Sequence, residues 1–161
     1  MAGRTLKFGL ILGLAAIASG SGYFFGYRSG SSRALPDDAR AREESFVGMM
    51  TGASLEGAFT AGSSSGELSE ESYTIESVEK IAGDLWLFRT RMRFGSRDVT
   101  LPVPVKVVFA EDTPLVTLTD ASIPGLGTFT ARVLFYRDRY AGLWWSSDGS
   151  GHQFGRLVRE P

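Results

Sequence analysis

Leu85–Phe109 reads LWLFRTRMRF, then GSRD, then VTLPVPVKVVF. In the first run Trp86, Phe88, Thr90, Met92 and Phe94 share one face, and Leu87, Arg89, Arg91 and Arg93 share the other. This is period-two alternation over a full strand length, the pattern of a sheet with one buried and one wet side. Val99, Leu101, Val103, Val105, Val107 and Phe109 continue the apolar face. The stretch therefore predicts a β-hairpin. A turn at Ser96-Arg97 sets Phe94 against Val99, Met92 against Leu101 and Phe88 against Val105. Pro102 and Pro104 fall on the outer face. Residues two apart send their N–H groups to the same neighbour, so one side of this strand lacks two donors. It must border a gap in the sheet or bend away from it, and a closed sheet would be weakest there.

The same rhythm extends outward from this hairpin. Upstream, Leu55, Gly57 and Phe59 alternate in SLEGAFT, Ala61–Glu71 reads as a Gly/Ser/Glu-rich loop, and Tyr73–Ile81 is a second strand. A two-residue turn at Gly83-Asp84 sets Ile81 opposite Trp86, Ile75 opposite Met92 and Tyr73 opposite Phe94, with Glu76 opposite Arg91 outside. Downstream, Glu111–Pro114 is a turn, Leu115–Asp120 a strand and Ile123–Gly127 a loop. In Thr128–Tyr136 the inward residues are Phe129, Ala131, Val133 and Phe135. A turn at Arg137-Asp138 pairs Val133 with Gly142 and Ala131 with Trp144, small against large. Leu143 and Trp145 fall outside, Ser146–Gly151 reads as a loop, and His152–Val158 is the last strand. About eight short strands joined mostly by tight turns predict a mainly β, antiparallel up-and-down meander closing into a small barrel. Such a barrel is just wide enough to be filled by side chains or to hold one small ligand.

Residues 1–7 form a short basic tail containing Arg4 and Lys7, and Phe8–Tyr27 carries no charge. As a helix this run is about 30 Å long, the thickness of a bilayer's hydrocarbon core. It predicts a single transmembrane anchor, N-terminus cytoplasmic and domain extracytoplasmic, with Tyr23, Phe24, Phe25 and Tyr27 as interfacial aromatics. The competing reading is a signal peptide cut after Ala16-Ile17-Ala18, which would leave a secreted or periplasmic domain. Gly9-x-x-x-Gly13 and Gly22-x-x-x-Gly26 match the spacing of paired membrane helices. Residues 28–36 are a linker. Residues 37–50, DDARAREESFVGMM, predict a short spacer helix with Asp37 and Asp38 at its N-terminus and an apolar stripe of Ala39, Phe46, Val47 and Met50. Residues 51–161 form the barrel domain.

Composition narrows the chemistry. With no Cys there is no disulfide, thiolate metal site or cysteine nucleophile. The net charge is −1, and the four basic residues before Asp37 leave a mildly acidic remainder. Nucleic acid, whose binding rests on phosphate neutralisation, is not an expected partner.

Two resemblances are carried by particular segments. Gly57-Ala58-Phe59 and Tyr140-Ala141-Gly142-Leu143-Trp144 resemble the Gly-x-aromatic signature of lipocalin-like (calycin) barrels, which implies a barrel able to hold a small apolar ligand. The run Tyr73–Arg159 is similar to a group of uncharacterised bacterial exported proteins. The matching segments are Tyr73-Thr74-Ile75, Gly83–Arg89, Thr117–Asp120, Ile123–Thr130, Tyr140-Ala141-Gly142 and Gly151-His152. That resemblance implies export and carries no site residue.

Candidate sites are sparse. Ser77-x-x-Lys80 fits the spacing of serine acyl-enzymes, but on a strand the two side chains point to opposite faces, and the companion motifs are absent. Arg89, Arg91 and Arg93 could meet an anionic surface, or simply form a solvated face. His152 beside Asp148 offers too few ligands for zinc, and a triad with Ser146 or Ser150 would crowd onto one loop. Ser77 and Thr90, expected to face inward opposite each other, could line an internal cavity with Trp86, Tyr140 and Trp144. Leu143 and Trp145 could form a partner surface or lie under the spacer helix. No catalytic constellation, cofactor or metal site emerges. The expected function is a non-enzymatic, membrane-tethered interaction module with a protein partner; the alternative is a carrier or sensor for a small apolar ligand.

Overall fold

The structure is a computed structural model that describes residues 37–62, 68–94, 97–123 and 127–159. The anchor at 8–27 and the linker at 28–36 lie outside the described residues. Among the described residues no helix is long and apolar enough to cross a membrane.

One helix precedes eight strands: α1 Asp37–Met50, β1 Ala53–Thr60, β2 Leu68–Ala82, β3 Leu85–Phe94, β4 Arg97–Ala110, β5 Thr113–Ile123, β6 Gly127–Tyr136, β7 Arg139–Ser146 and β8 Gly149–Val158. The strands pair antiparallel in chain order, and β8 returns to β1, closing the barrel. Its closing ladder runs from Ser54↔Val158 to Phe59↔Gln153.

Alternation sorts the side chains as the pattern predicts. Trp86, Phe88, Val103, Val105, Val107, Val133 and Phe135 are buried in one core, while Arg89, Arg91, Pro102 and Pro104 face water. The β6–β7 hairpin has the expected pairs, Val133↔Gly142 and Ala131↔Trp144.

Other registers differ from expectation, each for a local reason. At the Gly83-Asp84 turn β2 and β3 begin with Ala82↔Leu85, as the turn requires. A bulge between Lys80 and Ala82 then advances β2 by one residue, and a second between Ile75 and Ser77 by one more. Ile81 is consequently 44% exposed instead of facing Trp86, and Lys80 takes the place opposite Trp86. Because a one-residue slip inverts the faces and a second restores them, Ile75 returns to the core, paired with Thr90, and Tyr73 pairs with Met92. Thr74, not Glu76, lies opposite Arg91. In the next hairpin β3 and β4 meet at Phe94↔Arg97, so Trp86 faces Val105 and Phe88 faces Val103. The shift is two residues, which preserves the inward face.

The proline strand behaves as its missing donors require. β4 pairs with β3 over Arg97–Lys106 but with β5 only over Lys106–Ala110. Pro102 and Pro104 lie on the part of β4 that has left β5. Two segments read as loops are strand instead. β2 starts at Leu68, and Ser146–Gly151 narrows to a turn at Ser147-Asp148, where the Asp148 N–H donates to Ser146 Oγ at 3.2 Å.

The helix α1 has the expected bounds, but it does not cover Leu143 and Trp145, which stay 39% and 43% exposed. It caps the barrel end that carries the β2–β3, β4–β5 and β6–β7 turns. Phe46 and Met50 enter the core at 2% and 0% exposure. The Phe46 ring packs edge-on against Trp86 and Phe109, at centroid distances of 5.3 and 5.8 Å. At the rim, Glu43 accepts from Lys80 Nζ, Arg42 donates to the Glu111 carbonyl at 3.0 Å, and Arg159 donates to the Gly48 carbonyl. Phe46→Ala is therefore expected to cost about 3–5 kcal/mol, as for a buried aromatic, measured by denaturant unfolding of the full chain. A cost under about 0.5 kcal/mol, the surface-substitution range, would show that α1 is only a tether.

Candidate functional site

Two features stand out beyond ordinary packing: a polar cluster inside the barrel and an apolar row around its outside. The inner cluster is built from alternation on β2, where Glu71, Tyr73 and Ile75 share the inward face. Glu71 is 8% exposed and Tyr140 2%. Tyr140 Oη donates to Glu71 Oε1 at 2.6 Å, and Tyr73 Oη donates to Glu71 Oε2. Each carboxylate oxygen thus has a phenol donor, the charge-assisted arrangement that makes a buried carboxylate tolerable.

Backbone register explains how β7 reaches β2. Tyr140 pairs with Gly155, Gly155 with Gly57, and Gly57 with Glu71. Two glycines therefore lie between phenol and carboxylate in one row across four strands. A Cβ on Gly57 or Gly155 would stand 2.5 or 2.6 Å from Tyr140 Oη, so any side chain there would block its path. The bond ties strands on either side of the β8–β1 closure. Burial, first, and then the Glu71 charge and hydrogen bond hold the Tyr73 phenol far above its ordinary range. Burial, then the same bond and charge, do so for Tyr140. Both phenols are proton holders at neutral pH, suited to latching rather than to proton exchange.

The residues expected to line a cavity do not converge. Trp86 is packed at the capped end, with Lys80 Nζ 5.7 Å from its ring centroid. Thr90 is buried opposite Ile75 and Leu101. Ser77 pairs with Arg89 beside a bulge, so it does not face Thr90. Trp144 lies toward the other end against Phe59, with ring centroids 6.0 Å apart, and its buried Nε1 has no hydrogen-bond partner among the described residues. Tyr140 alone belongs to the inner cluster. Glu71 was hidden in a Ser/Glu-rich run; the inward glycines at 57 and 155 were the available signal that a side chain lay over them.

The remaining candidates resolve locally. Ser77 and Lys80 serve opposite surroundings, Lys80 meeting Glu43 and Trp86. Arg91 forms a two-pronged bond to Asp98, with Nε to Oδ1 at 2.7 Å. The His152 N–H donates to Thr60 Oγ1 at 3.0 Å. Among the described residues no cluster of His, Asp or Glu could hold a metal ion.

The outer row follows the ladder partners Val108↔Leu115↔Leu134↔Ala141↔Phe154↔Ala58 across β4, β5, β6, β7, β8 and β1. Five strand spacings make it about 24 Å long. Val108, Leu134 and Phe154 are 43%, 44% and 48% exposed. No family model, curated protein or solved structure matches the chain. The site must be read from its own geometry.

Two outcomes test the latch. Tyr140→Phe should lower stability by about 1.5–3 kcal/mol, the range for a hydrogen bond to a charged group, in denaturant unfolding; no change would show that the bond contributes nothing. The pH dependence has a definite sign. Unfolded tyrosines titrate near pH 10, and these two titrate higher when folded, so their contribution is complete below about pH 10 and is lost as pH rises towards the folded values. Alkaline titrations of the parent and a Tyr73→Phe/Tyr140→Phe variant should show a steeper fall for the parent; parallel curves would contradict the assignment.

Proposed function

We propose that this chain is a non-enzymatic interaction module: a small barrel held on the extracytoplasmic side of a membrane by the apolar run Phe8–Tyr27. The observation that carries this reading is the apolar row on the outer face. Val108, Leu134 and Phe154 of that row are exposed, and exposed apolar residues brought together can serve as a contact surface. The interior supports the same reading. A carrier needs vacant space among its inward side chains, and here the capped half is occupied by Trp86, Phe88, Phe135 and Tyr140 together with Phe46 and Met50 of α1. Among the described residues, a hollow of about 370 Å3 lies at the rim beside Phe46 and Phe109, and one of about 530 Å3 opens outward over Gly57, Gly155 and Tyr140.

The test is native mass spectrometry of the full chain released from its own membrane. The expected species carries a bound polypeptide, whether another copy or a different chain, and no small molecule. A stoichiometric apolar small molecule retained by the barrel would overturn the reading in favour of a carrier.

A further inference from the structure

The outer strip of β8 and β1, flanked by β7 and β2, is complementary to itself. Its central line is Ala141, Phe154, Ala58 and Glu70 in ladder order. The line beside it, nearer the capped end, is Arg139, Arg156, Glu56 and Ser72. On the opposite side come Leu143 and His152, then Thr60, which bonds the His152 N–H, and Leu68. Cations thus lie on β7 and β8 and anions on β1 and β2. Phe154 stands out as a knob, and the hollow of about 530 Å3 next to it is lined by Gly57, Ala58, Gly155, Arg139 and Arg156.

We infer that this face docks a second copy of the chain about a two-fold axis running along the strands between β8 and β1. Such an axis exchanges β8 with β1 and β7 with β2. It lays Phe154 over Ala58 of the second copy and Arg156 over its Glu56, while β7 and β2, one strand further out on the convex barrel, turn away from the contact. Every contact occurs twice, as an isologous interface demands. Large meets small and cation meets anion. The alternative two-fold axis, centred on β7 and β8, would set Arg139 and Arg156 against the same pair.

The patch is small, roughly 5 Å across from one strand spacing and roughly 14 Å along the strands from four residues. A stable soluble complex usually buries about 800 Å2 per partner. The pairing is accordingly weak in free solution and gains from confinement of both copies in one membrane, which raises their effective concentration.

This inference rests on the module reading and narrows it to one partner. The chain has no cysteine, so single introduced thiols report cleanly. Full-length Ala58→Cys and Phe154→Cys chains are reconstituted together in lipid vesicles and treated with a short bis-maleimide, since packed sheets lie ~10 Å apart, beyond disulfide reach. A product joining position 58 of one chain to 154 of another is expected, well above that of a Lys106→Cys control on β4, outside the apolar row. Adding Arg156→Glu to both chains should abolish it, and adding Glu56→Arg as well should restore it. Yield no greater than the Lys106 control, or loss without rescue, overturns self-pairing. A photo-crosslinking residue at 154 in cells separates the two failures. If it captures a different polypeptide, self-pairing falls and the module reading stands; if it captures nothing, both fall.

Discussion

One end of this closed sheet is filled by side chains that the sheet does not supply. Phe46 of α1, set edge-on against Trp86 and Phe109, joins the helix to the inward faces of β3 and β4. Without it and Met50, the Trp86 ring would border water at the capped end. Burial of each such side chain contributes on the order of 1.5–3 kcal/mol. The rim bonds from Lys80 to Glu43 and from Arg42 to the Glu111 carbonyl fix the angle at which the helix enters. They add direction more than stability, since partly exposed ion pairs contribute little.

The closure seam is held by a different device. Small residues at 57 and 155 leave a floor over which Tyr140 reaches Glu71. Burying a carboxylate is costly unless its oxygens are bonded, and two phenols meet that need. Filling at one end and latching across β8–β1 together explain why the outer face is free to carry apolar residues: the core does not require them. The weak point is also located. Where β4 leaves β5, Pro102 and Pro104 supply no donors, so the edge they leave is a poor template for an added strand.

How much of this was legible depended on how regular each segment is. The β6–β7 hairpin could be registered from sequence because its alternation runs unbroken into a two-residue turn. The β2–β3 hairpin could not, because two bulges sit within it, and nothing about Ile81 or Ser77 announces them. The bulges cancel in parity, which is why Ile75 still lies inside although its partner changed from Met92 to Thr90. Helix α1 was delimited correctly by Asp37 and Asp38 and by its apolar stripe. Its destination was not, since a stripe says that a face is buried and not against what. Glu71 escaped notice because a carboxylate in a Ser/Glu-rich run reads as loop, and only its spacing from Tyr73 and Ile75 places it inward. The outer row is a property of ladder partners, invisible until all the registers are known.

The barrel core includes a side chain from outside the sheet, Phe46 of α1. Nuclear Overhauser spectroscopy of the isotope-labelled chain measures this directly. Strong contacts are expected from the Phe46 ring protons to those of Trp86 and Phe109, with a further set from Tyr140 to Glu71. A Phe46 ring with solvent contacts only, while the strand-to-strand contacts remain intact, would contradict it.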